Sequence, residues 1–130
     1  MAELTDNARS KIEAPNLAFL AEVMDDGSPH VSPVWIALEN GYITFNTAVG
    51  RVKEKNMRRD PRVAISIADK DNFYDKVDIR GRVVEIIEGE EADRQIDLLA
   101  KKYLGKDEYP WRNPAETRIK VLVEPVAVAG

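Results

Sequence analysis

Apolar residues at Leu4, Ala8 and Ile12 recur every four positions, so they lie on one stripe of a short helix over Thr5–Glu13. Thr5 or Asp6 is placed to cap the free amides, and Pro15 stops the helix. The run Asn16–Met24 is then apolar and short, and Asp25-Asp26-Gly27-Ser28 separates it from a second run, His30–Leu38. Aspartate and glycine between two such runs predict a tight hairpin. Glu39-Asn40-Gly41 repeats the signal before a third strand, Tyr42–Thr47, and three strands joined this way predict an antiparallel meander. From Arg51 to Asp60 charged residues surround Val52 and Met57, and Pro61 closes the segment as a short helix.

Arg62–Ala68 and Lys76–Ile87 alternate β-branched and polar residues, a strand period, with Asp69–Asp75 as the turn between them. Gly81 inside the later strand predicts a bulge or bend that lets a sheet curl. Gly89–Leu104 is a helix with Ala92, Ile96, Leu99 and Ala100 on one face and Gly105 at its end. A charged, aromatic loop over Lys106–Glu116 leads into the last strand, Thr117–Val128, where Pro125 favours an edge or a bulge. Six strands with short helices and mostly tight turns predict a mainly β fold, a closed or nearly closed antiparallel barrel rather than a doubly wound parallel sheet.

At 130 residues the chain fits one domain, over 1–130, and leaves no room for a second catalytic domain. No apolar run approaches the roughly 20 residues that cross a bilayer, and the start of the chain does not read as a secretory signal, so a cytoplasmic location is expected, with no membrane partner. The absence of cysteine excludes disulfides, iron–sulfur clusters, thiolate zinc and a cysteine nucleophile, and His30 alone makes no histidine-rich metal site. A net charge of −4 weighs against general nucleic-acid binding.

Glycine-rich nucleotide loops, a GxSxG elbow and an HExxH helix are all missing, so redox chemistry on a bound cofactor is the attractive alternative to side-chain catalysis. The most basic stretch, with Arg51, Lys53, Lys55, Arg58 and Arg59, supplies the strongest candidate site. If Gly50 or the residue before it opens the helix, Arg51 and Lys53 fall in the first turn, where free amides and the helix dipole favour a phosphate. The simpler reading of the same residues is a solvated basic face.

Four segments in order carry a resemblance: Asp26-Gly27-Ser28-Pro29-His30-Val31-Ser32-Pro33-Val34-Trp35, Phe45-Asn46-Thr47-Ala48, Arg51-x-Lys53-x-x-Asn56-x-Arg58-Arg59-Asp60-Pro61-Arg62, and Arg80-Gly81. They resemble the pyridoxamine-phosphate-oxidase-like flavin-binding split barrels, and more narrowly the branch that uses the deazaflavin coenzyme F420. The resemblance implies a six-stranded Greek-key split β-barrel, homodimeric, with the coenzyme between two subunits. It implies that Lys53 contacts the coenzyme phosphate with Arg51 and Asn56 nearby. Ser32, Pro33, Val34 and Trp35 then line the ring system, Asn46, Thr47 and Ala48 border the ribityl chain, and Phe73, Tyr74 and Trp111 are candidates to come from the partner.

Trp35 also suits a core or dimer interface, Asn56 a backbone bridge, and Arg58, Arg59 and Arg62 ion pairs with Asp60 and its neighbours. His30 follows a turn and is expected to be exposed rather than catalytic. The segment Pro125–Gly130 lacks the arginine- and histidine-containing extension of true pyridoxamine phosphate oxidases, so vitamin B6 oxidation is not expected. Three functions remain open: hydride transfer from F420 to a small electron-poor substrate, a flavin reductase or oxidase using FMN, and a non-catalytic module holding the coenzyme or a tetrapyrrole such as haem.

Overall fold

The computed structural model describes residues 1–130, folded as three helices and seven strands in the order α1 (Asp6–Glu13), β1 (Ala18–Val23), β2 (Pro29–Val34), β3 (Ile36–Glu39), β4 (Tyr42–Ala48), α2 (Val52–Arg59), β5 (Arg62–Asp69), β6 (Asn72–Glu88), α3 (Glu90–Leu104) and β7 (Arg118–Ala129). Thr5 caps α1 by accepting a hydrogen bond from the Ala8 amide, and α1 buries Leu4, Ala8 and Ile12 in the core. Gly105, in the left-handed conformation, ends α3.

All strand pairs are antiparallel, and their order across the sheet is β2-β1-β5-β6-β7-β4-β3. β2 and β3 therefore stand at opposite edges, yet only Trp35 separates them in the chain. One residue spans less than a strand spacing or two, so the sheet must curl until its edges meet. This is the split barrel. Its interior is filled by alternate residues of each strand, with Leu20, Ile65, Ile67, Ile79, Phe45 and Val121 fully buried.

Two expectations are corrected. The strands number seven instead of six, because His30–Leu38 breaks at Trp35: β2 pairs with β1, β3 with β4, and the first strands form two hairpins rather than a meander. The turn expected over Asp69–Asp75 is only Lys70-Asp71, and Phe73 and Tyr74 lie in β6. There the Asp69 carboxylate accepts from the amides of Asp71 and Asn72 and closes the turn without a glycine. The irregularity foreseen at Gly81 is present as a register shift between Arg80 and Gly81 opposite Pro125. No helix is long and apolar enough to cross a membrane.

Candidate functional site

The split where the chain leaves β2 and enters β3 opens a cleft of about 300 Å³. β2 and the break contribute Pro33, Val34 and Trp35, β4 contributes Asn46 and Thr47, the start of α2 contributes Arg51 and Lys53, and the loop after α3 contributes Trp111. Eight of the residues singled out in the sequence thus meet in one place.

The basic segment divides cleanly once folded. Glu54 is buried on α2, accepts from the Gly50 amide at 2.8 Å and holds Arg58, which also reaches Glu88. Arg59 donates to Asn56 Oδ1 and pairs with Asp25, Arg62 forks onto Asp60, and Lys55 is exposed. Only Arg51 and Lys53 face the cleft. Arg51 is the residue preceding the first helical turn of α2, and no side chain caps that end. The first amides of the helix therefore remain free donors beside the two cations.

Lys53 is half-buried and makes no hydrogen bond or ion pair. Burial, helped by the nearby charges of Arg51 and Arg118, pulls its ammonium below the ordinary lysine pKa, while the buried Glu22 carboxylate pulls the other way. Such a cation is left seeking an anion. A phosphate fits this arrangement, since it would supply the missing counter-charge and accept from both side chains and helix amides.

The cleft also has an aromatic wall. Trp35 stacks on Tyr103 with centroids 5.4 Å apart and 8° between the planes, meets Tyr109 edge-on at 6.2 Å, and Tyr109 meets Trp111 edge-on at 5.7 Å. The Tyr103 hydroxyl fixes this wall by donating to the Asn16 carbonyl at 2.7 Å and accepting from the Ile36 amide at 3.2 Å. Since Ile36 is fully buried, Tyr103→Phe leaves its amide without a partner. That change is expected to lower stability by about 1–2 kcal/mol in urea denaturation and to alter the tryptophan emission of Trp35.

The remaining candidates lie elsewhere. Asn56 is buried beneath α2, donating to Glu22 Oε1 at 3.2 Å and to Met24 Sδ. Ser32 points into the barrel with its hydroxyl buried and unpartnered, and Ala48 is buried at the end of β4. Phe73 and Tyr74 are 74% and 97% exposed near the β5–β6 turn, away from the cleft of their own chain. His30 is part-buried and bonds through Nδ1 to Glu22 Oε1, on the side of β2 away from the solvent-facing Val31.

Five cleft residues escaped the sequence reading: Leu17, Ile96, Leu99, Tyr109 and Arg118. Ile96 and Leu99 belong to the apolar face of α3, read there only as packing. Arg118 begins β7, donates through Nε to Asn46 Oδ1 at 2.8 Å, and lies over the Tyr109 ring at 5.4 Å. Its signal was an arginine at the mouth of a strand, which only folding brings beside Lys53.

The chain belongs to the pyridoxamine 5'-phosphate oxidase family, whose profile matches residues 4–128. A solved structure of an F420 reductase is similar at a TM-score of 0.80 and 29% identity, covering 97% of this chain and 98% of that one. A conserved hypothetical protein of Mycobacterium tuberculosis follows at 0.71 and 26%, covering 98% and 82%. General stress protein 26 of Bacillus anthracis, at 0.68 and 17% over 95% and 89%, shares the fold. Among curated proteins none matches the chain in sequence.

Proposed function

We propose that the protein is an oxidoreductase that binds F420 in this cleft, phosphate at Lys53 and ring system against the Trp35 wall. The observation that carries the reading is the half-buried, unpartnered Lys53 ammonium at the start of α2. Membership of the family and the likeness to an F420 reductase support it. When bound, the coenzyme would supply a hydride to an electron-poor double bond or imine of a small substrate, with the balancing proton taken from solvent or a nearby hydroxyl. The chain's own part is to bind and orient. Lys53 and Arg51 hold the anionic end, Asn46 and Thr47 border the connecting chain, and Trp35 with Tyr109 and Trp111 excludes water from the ring. The experiment is oxidation of reduced F420 by a panel of activated alkenes and imines. Steady turnover supports the enzyme; tight binding with no turnover on any acceptor favours a carrier, and preference for FMN moves the reading to a flavin enzyme.

A second copy of the chain is proposed as the partner. The outer face of β1 and β2 leaves Phe19 49% and Val31 62% exposed, over a groove of about 460 Å³ floored by Ala21, Ala64 and Ala127. Pro29, Val31 and Pro33 share one face of β2, so this apolar surface runs straight into the cleft wall. The face also carries Asp78 and an unpaired Arg80, both signs that a two-fold contact can match against itself. Covering it with a copy would roof the cleft and bring in exposed aromatics such as Phe73 and Tyr74. Val31→Asp is expected to convert a sedimenting dimer to monomer at micromolar concentration and to weaken coenzyme binding; a wild-type monomer would contradict the shared site.

A further inference from the structure

A carboxylate backs the basic end of the cleft. Glu116, the last residue before Thr117 and β7, points one oxygen at Arg118 Nη1, 2.9 Å away, and the other at Arg51 Nη2, 3.6 Å away. Both arginines line the cleft with Lys53, and the Arg118 side chain is only 12% exposed. Behind Lys53 lies the second acid, Glu22, whose side chain is wholly buried with Oε2 unpartnered. Three cations, Arg51, Lys53 and Arg118, therefore gather at this end; Glu116 bridges two of them, and Glu22, which also bonds His30 and Asn56, acts on Lys53 from the buried side. Glu116 does not itself line the cleft; it stands behind the wall and acts on the ligand through the two lining guanidinium groups that it bridges.

We propose that Glu116 is a specificity-determining residue that sets the charge of the phosphate this site accepts, matching it to a singly charged phosphate diester and against a doubly charged terminal monoester. A diester carries one negative charge, whereas a monoester carries close to two near neutral pH. F420 presents the first and FMN the second. In a partly dry cleft an extra negative charge a few ångströms from Glu116 is repelled far more than it would be in bulk water. The carboxylate also occupies guanidinium donors that the additional phosphate charge would need. The inference rests on the reading that Lys53 binds the coenzyme phosphate, and it adds what that phosphate must be.

Three variants and three probes test it by fluorescence titration at pH 8, with F420 as the singly charged diester. Riboflavin has the ring and no phosphate; FMN has the doubly charged monoester. E116Q is expected to tighten FMN about tenfold, to change F420 several-fold less and to leave riboflavin unchanged, while Glu116→Asp, which keeps the charge, stays close to wild type; equal tightening of F420 and FMN would overturn the proposal. Equal tightening of riboflavin and FMN would mean that the substitution loosened the loop rather than the charge balance, and would overturn the proposal. So would unchanged FMN affinity in E116Q when Lys53→Ala still weakens FMN, an outcome that leaves the cofactor reading intact. If Lys53→Ala has no effect on FMN or F420, the underlying reading falls and the charge assignment falls with it.

Discussion

Lys53→Ala is expected to weaken F420 binding about a hundredfold while leaving the fold at least as stable as wild type. The loss follows from removing a charge-assisted contact in a partly desolvated place, worth about 2–3 kcal/mol. The stability result separates this residue from a structural lysine. Lys53 has no partner in the protein, so folding half-buries a cation with little in return, and alanine relieves that cost. The pH dependence has a definite sign. Because the folded-state pKa lies below that of the unfolded chain, the unfolded state holds the extra proton in the interval just under the ordinary lysine value near 10.4. The wild type should therefore gain stability relative to the variant as pH rises through that interval. Parallel thermal melts at pH 7 and pH 10, with F420 titrations at pH 7, read both quantities. A variant that melts well below wild type would assign Lys53 to the fold instead.

Gly81→Ala is expected to be among the most damaging single methyl groups that can be added to the sheet. A Cβ built there would stand 2.5 Å from Val123 Cγ1 and 2.9 Å from the Glu124 carbonyl oxygen, and the latter belongs to backbone of the paired strand β7. A side-chain rotation relieves the first contact, but only a shift of β7 relieves the second. Overpacking of this kind costs about 2–3 kcal/mol, visible as a lower urea midpoint with unchanged slope. Gly27→Ala makes the useful comparison. Its position is open, and the penalty there comes from a φ of 88° instead of from crowding.

Local chemistry explains which parts of this architecture could be read from the sequence. The Thr5 cap, the Asp26-Gly27 and Asn40-Gly41 turns and the Gly105 stop each act within a few residues, and the bulge at Gly81 was marked by a glycine inside a strand period. The break at Trp35 has no such marker. His30–Leu38 keeps extended backbone on both sides of it, and what changes is only which strand each half pairs with, a property of the whole sheet. Seven polar and aromatic residues around Phe73 and Tyr74 look like a turn, but the side chain of Asp69 closes it in two.

The same distinction runs through the cleft. Arg51 and Lys53 were legible because a helix start gathers them with its own free amides, all within one turn. Ion pairing was also the expectation for Arg58 and Arg59, and folding supplies the partners: Glu54 and Glu88 for Arg58, Asn56 and Asp25 for Arg59. Arg118 and Tyr109 belong to a strand end and a loop far along the chain, and they reach Lys53 only because β7 lies beside β4. Asp97 holds that loop, accepting from the Tyr109 amide at 2.9 Å and from Arg112 at 2.6 Å. A side chain whose role depends on such long-range pairing leaves no local pattern to read.

The most direct test is titration of the wild-type protein with F420, followed by the coenzyme's own fluorescence, beside an identical titration with FMN. Saturable F420 binding at one site per chain, tighter than FMN, is the predicted result. Binding of neither coenzyme would contradict the assignment of the cleft and of Lys53.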